Sequence, residues 1–193
     1  MKVLLIDHED SFVYNLYQAL GQLGAEVRCA RYTEPVSASV RWDPDVVVLS
    51  PGPGHPRDRR VTGHSRALLN RWHAERPFLG VCLGHQLIGD FYGARVGRAE
   101  APVHGEAVEV EHSGGVLFRG VPRRFRGARY HSLVLRRGNL PTELLVRART
   151  RAGTVMAVDH RTDPVHGVQF HPESYLTPEG PRILRNFLGE ARR

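Results

Sequence analysis

PFLGVCLGHQ, residues 77 to 86, is the stretch that decides the fold. Its first half, PFLGV (77–81), is a short apolar run of the kind that forms a strand buried on both faces. LGHQLIGDFYG (83–93) then has the pattern of a helix. Only Cys82 lies between them, with Gly80 and Gly84 one residue further out on each side. A chain that passes from strand to helix through a single residue must turn sharply, and bulk on either side would block the turn. A side chain at the apex projects above the carboxyl ends of the strands, where open α/β sheets bind ligands. The first helical N–H groups point back at Cys82 and favour its thiolate. A small structural thiol does not require flanking glycines; a nucleophile on a tight turn does.

Working outward, VLLID (3–7) is a short buried strand, and Asp10 or Ser11 can cap a helix after it. Phe12, Leu16, Leu20 and Leu23 follow at helical spacing, and Gly24 is the stop. AEVRCARY (25–32) and VVVLS (46–50) are two more strands, PGPGHP (51–56) is a loop, and Thr62 to Glu75 is a helix with Leu68, Leu69 and Trp72 on one face. Alternating strands and helices imply an α/β fold with a mostly parallel, doubly wound sheet flanked by helices. AVEVEH, RYHSLVL, LLVRART, TVMAVDH and HGVQF, between residues 107 and 170, are closely spaced strands with little helix between them. They predict an antiparallel or mixed β extension in the C-terminal half. The tail, PEGPRILRNFLGEARR, is a final helix with Ile183, Leu184, Phe187 and Leu188 facing inward. No linker, repeat or low-complexity segment interrupts residues 1–193, so a single domain is expected.

Bulk properties narrow the classes. A chain of 193 residues, 41% hydrophobic and 24% charged, is an ordinary globule with a real core. No apolar run approaches the roughly 20 residues of a membrane span, and the apolar run near the N-terminus is too short for a secretory signal. A cytoplasmic protein is expected. Two cysteines, Cys29 and Cys82, cannot build a disulfide framework, and no metal-ligand spacing occurs. The net charge of +7 comes almost wholly from arginine, Lys2 being the only lysine. The densest stretch, RGVPRRFRGAR (119–129), holds one aromatic, Phe125. It is a solvated face first, a docking surface for an acidic partner second, and a nucleic-acid site last.

A thiol nucleophile requires a base, and the base an orienting group. In VHGVQFHPES (165–174) a strand ends at His171, and Pro172 keeps His171 extended. Period two then places Glu173 on the same side, where its carboxylate can fix the imidazole tautomer. Cys82, His171 and Glu173 make a candidate triad if the fold joins the two strand ends. The loop SPGPGHP (50–56) follows a neighbouring strand, and its glycines allow backbone N–H groups to approach a substrate. One such amide, with that of Leu83, can form an oxyanion hole. Gln86 lies one helical turn beyond the thiol, within reach of a substrate there.

LLIDHEDSFVYNL, LSPGPGHP, GVCLGHQ, YGARV, HG (104–105), RYHSLV, MAVDH and GVQFHPES occur in this order over nearly the whole chain. Together they resemble the class I, triad-type glutamine amidotransferases, with flavodoxin-like architecture. More narrowly, they are similar to the small glutaminase subunits that serve anthranilate synthase and aminodeoxychorismate synthase. The resemblance implies that Cys82 attacks the side-chain amide of L-glutamine and forms a thioester, with His171 and Glu173 assisting. It implies oxyanion contacts from Gly54 and Leu83, and glutamine binding by Gly52, Pro53, Gly54, Gln86, Ser132 and Leu133. It further implies that the partner receiving ammonia is a chorismate-binding large subunit. No nucleic acid or membrane is implied, and no cofactor in this chain, any Mg²⁺ belonging to the partner. A stand-alone γ-glutamyl amide hydrolase and a non-catalytic regulatory scaffold are the alternatives. Four residues depart from the family pattern: His8 where Asn is usual, Arg59 and Arg60 where small residues are usual, and Glu106 where lysine is frequent. Arg59, Arg60 and Glu106 are candidates for the partner interface.

Overall fold

The computed structural model describes residues 1–192, save for the side chains of 100–104 and 192. Five strands form its parallel part: β1 (Lys2–Asp7), β2 (Glu26–Arg31), β3 (Val46–Leu49), β4 (Phe78–Val81) and β9 (Val165–Val168). Four more continue the same sheet antiparallel: β5 (Val96–His112), β6 (Arg124–Leu135), β7 (Leu144–Thr150) and β8 (Val155–His160). The strand order is β2-β1-β3-β4-β9-β8-β7-β5-β6. The chain therefore reverses its winding between β1 and β3, and the crevice above their carboxyl ends is where such sheets accept ligands.

Helices cover both faces: α1 (Val13–Gln22), α2 (Val36–Trp42), α3 (Arg59–Trp72), α4 (Leu83–Phe91) and α5 (Gly180–Leu188). The reason lies in the strands. Successive side chains point to opposite faces, so Val3, Leu5, Val46 and Val48 join Leu16, Leu20, Ile183, Leu184 and Phe187 in one core layer. Leu4, Ile6, Val47 and Leu49 join Leu68, Leu69, Trp72, Leu87 and Ile88 in the other. Strands buried on both faces cannot alternate with polar residues, which is why they read as continuous apolar runs.

The structure bears out the fold class and refines its parts. HGVQF, expected within the antiparallel extension, supplies β9, which pairs parallel with β4 and antiparallel with β8 and so joins the two regions. β5 begins eleven residues ahead of AVEVEH, at Val96. The 62–75 helix begins at Arg59 instead, because the Asp58 side chain accepts the Arg60 N–H and caps it. Neither Asp10 nor Ser11 caps α1: the N-cap is Phe12, and Asp10 accepts the Phe12 N–H at 2.8 Å to shape the preceding turn. Gly24 does end that segment, at φ +84°. The unanticipated α2 is short and rich in serine and valine, weak helix formers, and takes its support from Val36 and Val40 packing on the core.

Candidate active site

The glycines beside Cys82 now have a physical reason. A Cβ at Gly80 would collide with the Gly84 backbone, and a Cβ at Gly84 with the Leu49 carbonyl on β3. Strand, turn and helix therefore touch backbone to backbone. Cys82 itself is the N-cap of α4 with φ 51° and ψ −97°, a strained conformation for a residue with a Cβ. It persists because its surroundings hold it. The Cys82 N–H donates to the Val168 carbonyl of β9 at 2.9 Å, and its own carbonyl accepts the Gln86 N–H at 3.1 Å.

His171 and Glu173 lie just beyond β9. The strand ends at Val168, short of the histidine, so a turn and not strand period brings the pair together. His171 Nδ1 and Glu173 Oε1 are 2.6 Å apart, and both side chains are almost wholly buried. Burial by itself disfavours the imidazolium, but the Cys82 sulfur and the Glu173 carboxylate outweigh it and push the His171 pKa up. The carboxylate holds Nδ1, which leaves Nε2 for the sulfur. The phenyl ring of Phe12 and the phenol of Tyr130 stand edge-on to the imidazole at 6.1 and 4.9 Å and wall off that side.

Three residues outside the sequence-predicted set hold this arrangement. The His171 N–H donates to the Ala128 carbonyl at 3.1 Å, and the Thr177 hydroxyl donates to the His171 carbonyl at 2.7 Å. Thr177 Oγ1 in turn accepts the Ala128 N–H at 2.9 Å. The β5–β6 ribbon at the far edge of the sheet thus reaches back to the turn that carries His171. Gln169, fully buried, donates from its side-chain amide to Cys82 Sγ at 3.6 Å. Gln169 stands inside the GVQFHPES motif, but nothing in the motif gave it a role, and Thr177 carries no motif signal at all.

Gly52, Pro53, Gly54, Leu83, Gln86, Ser132 and Leu133 line a cavity of about 170 Å³ together with Cys82. The structure thus gathers every residue predicted to bind glutamine. Gly54 takes φ +91°, a conformation that suits glycine. A Cβ at Gly52 would lie 2.6 Å from both the Cβ and the carbonyl oxygen of His8, so this loop packs closely on the end of β1. His8 is buried and bonded to Ser50 and Ser65, and burial pushes its pKa down to about 4. Arg59 and Arg60 are exposed at the start of α3, where Arg60 grips Asp58 through two bonds. Cys29 is half-buried, with its thiol pushed up to about 11 by burial. Among the described residues, no cluster of three His, Cys, Asp or Glu could hold a metal ion, and no helix is long and apolar enough to cross a membrane.

A thiol on a strand–helix elbow, faced by a carboxylate-braced imidazole, is an arrangement that can activate a cysteine as a nucleophile in an α/β enzyme. The family is narrower still. The chain belongs to the class-I glutamine amidotransferases, whose family model matches residues 4–191. It is 46% identical to the anthranilate synthase component 2 of Methanothermobacter marburgensis, across 96% of this chain and 97% of that one. It is 48% identical to a segment of the anthranilate synthase of Azospirillum brasilense, across 93% of this chain but 24% of that longer protein. Among solved structures, a putative GMP synthase subunit from Thermoplasma acidophilum superposes with a TM-score of 0.90 at 25% identity, covering 100% of this chain and 94% of that one.

Proposed function

We propose that this chain is the glutaminase component of an anthranilate synthase, releasing ammonia from L-glutamine for a larger chorismate-binding subunit. The observation that carries the reading is that Cys82 lines one cavity with the SPGPG loop and β6, while the Glu173-braced imidazole of His171 faces its sulfur. The near full-length similarity to a protein named anthranilate synthase component 2 supports the pathway. The longer Azospirillum protein supports the partner, since it carries the matching segment within one anthranilate synthase chain.

The proposed steps use the residues gathered around that cavity. The Cys82 thiolate attacks the side-chain amide carbon of glutamine, and the C–S bond forms as the carbonyl pair moves onto oxygen. The N–H groups of Gly54 and Leu83 receive that oxyanion. As the carbonyl re-forms, the C–N bond breaks, and His171 Nε2 gives its proton to the departing ammonia. Water then loses a proton to His171 and attacks the γ-glutamyl thioester. The C–S bond breaks, the thiolate returns and glutamate leaves. Glu173 transfers no proton in this scheme. It orients the ring and stabilises the imidazolium. Gly52, Pro53, Gln86, Ser132 and Leu133 hold the substrate.

The test is Cys82→Ser in complex with the large subunit. Glutamine-dependent formation of anthranilate should be lost while formation from free ammonia persists. Loss of both activities would defeat the proposed division of labour. Pairing the chain also with a large subunit that forms aminodeoxychorismate checks the pathway; amination only there would move the chain to that branch.

A further inference from the structure

Gln169 takes no part in the steps above, yet its buried side-chain amide meets the reacting sulfur. Its orientation is fixed by a chain of amides. Gln86 Nε2 lies 2.9 Å from the Leu133 carbonyl, a group that can only accept, so the nitrogen of Gln86 must point there. The same nitrogen lies 3.2 Å from the nearer atom of the Gln169 amide, which must then be the oxygen. Gln169 is left with its NH₂ toward Cys82 Sγ. Reversing either amide would set donor against donor or acceptor against acceptor between two buried side chains, at the cost of a lost buried hydrogen bond.

From this network we propose that Gln169 is a further catalytic residue, whose N–H stabilises negative charge on the Cys82 sulfur, and that Gln86 is the positioning residue that aims it. The inference rests on the cysteine mechanism proposed above. The sulfur carries charge twice per cycle. Before attack it is the thiolate nucleophile, and the hydrogen bond raises the thiolate population. When the C–S bond forms, the sulfur pair enters that bond and the Gln169 contact weakens. When water has added to the thioester, the pair returns to sulfur as the bond breaks. An N–H held against the departing sulfur stabilises the charge it gains, so Gln169 favours thioester breakdown as well. The imidazole of His171 and the Gln169 amide both face the sulfur; the first carries the proton that passes to ammonia, and the second only stabilises charge.

Two substitutions separate this role from mere packing. Gln169→Met keeps the side-chain volume and removes the donor. Gln169→Glu keeps an acceptor for Gln86 and places an anion near the sulfur. The experiment is iodoacetamide alkylation of Cys82 across a pH series, read by peptide mapping, with glutamate release measured in the complex with the large subunit. Folding is checked by the cooperativity of thermal unfolding. Both variants should raise the alkylation midpoint, by about one pH unit or more, and lower kcat about tenfold, with KM for glutamine changed by less than about twofold. Gln86→Leu should raise the midpoint in the same direction. An unchanged midpoint in folded Gln169→Met overturns the proposal, and if that variant fails to fold, an unchanged midpoint in Gln169→Glu does so. No movement in Gln86→Leu overturns the positioning role. The parent reading fails separately, in the unsubstituted chain alone, if Cys82 is not the residue alkylated or excess glutamine does not protect it.

Discussion

Cys82 holds a backbone conformation that costs on the order of 1–3 kcal/mol for a residue with a side chain, and the neighbouring glycines make room for it. Gly84→Ala is the sharpest test of that account. Its Cβ would be driven into the Leu49 carbonyl, so either α4 shifts or the elbow opens. A displacement of even 1 Å at a nucleophile can cost about 100-fold in rate, and we expect at least that loss of glutamate release, with a destabilisation of about 2 kcal/mol. Wild-type kinetics in a folded Gly84→Ala protein would refute it. The triad residues should differ in weight. His171→Ala removes the proton carrier and should cost roughly 10²–10⁴-fold in kcat. Glu173→Ala removes only the brace on Nδ1 and should be milder, since the orienting acid of a triad costs less than its base. Equal damage from both, measured as glutamate release, would count against these roles.

At the scale of elements, the turn that carries His171 between β9 and α5 is held from outside its own chain segment. Thr177 spans the gap, donating to the His171 carbonyl and accepting the Ala128 N–H from β6. The helix that follows is pressed against the same turn, for a Cβ at Gly180 would overlap the Pro172 carbonyl. Thr177→Val keeps the shape and deletes both bonds. It leaves the buried His171 carbonyl and Ala128 N–H short of partners, which should cost about 1–3 kcal/mol in urea unfolding. Because His171 moves with its backbone, kcat should fall more than KM rises. A stability loss with kcat unchanged would show that Thr177 supports the fold without placing the base.

For the whole molecule, buried histidines set the dependence of stability on pH. Burial pushes His8 down to about 4 and His85 down to about 3. Below a pH of about 6.5 the unfolded chain takes up protons that these folded sites refuse, so acidification toward 4 destabilises the fold. His166 behaves oppositely. Burial opposes its charge, but the Asp159 and Glu190 carboxylates at 2.7 and 2.6 Å prevail and push it up to about 9. Its contribution is complete below about 6.5 and is lost as pH climbs toward 9. Stability should therefore peak near a pH of about 6.5 in urea titrations. His8→Asn should flatten the acid limb and His166→Gln the alkaline limb. A midpoint that rises steadily from about pH 5 to 9 would exclude this assignment.

Much of the site was legible because its chemistry lies in short contiguous motifs. PFLGV running into Cys82 between glycines specified a strand, an elbow and a helix, since local sterics and apolar period act within a few residues. The SPGPG loop and Gln86 followed from the same local logic, and His171 and Glu173 were picked out as a pair although a turn, not strand period, joins them. Contacts between distant segments were not legible. That β9 lies beside β4, that β6 returns over the cavity, and that Thr177 and Gln169 meet the triad all depend on strand pairing and packing. Nor did α2 announce itself, because its support is tertiary. By itself the sequence determined which residues can turn sharply, bury or ionise, because those are properties of side chains and their near neighbours. Only the tertiary structure decided which of them touch, because the energy of a buried hydrogen bond or a backbone contact exists only when two remote pieces of chain exclude water together.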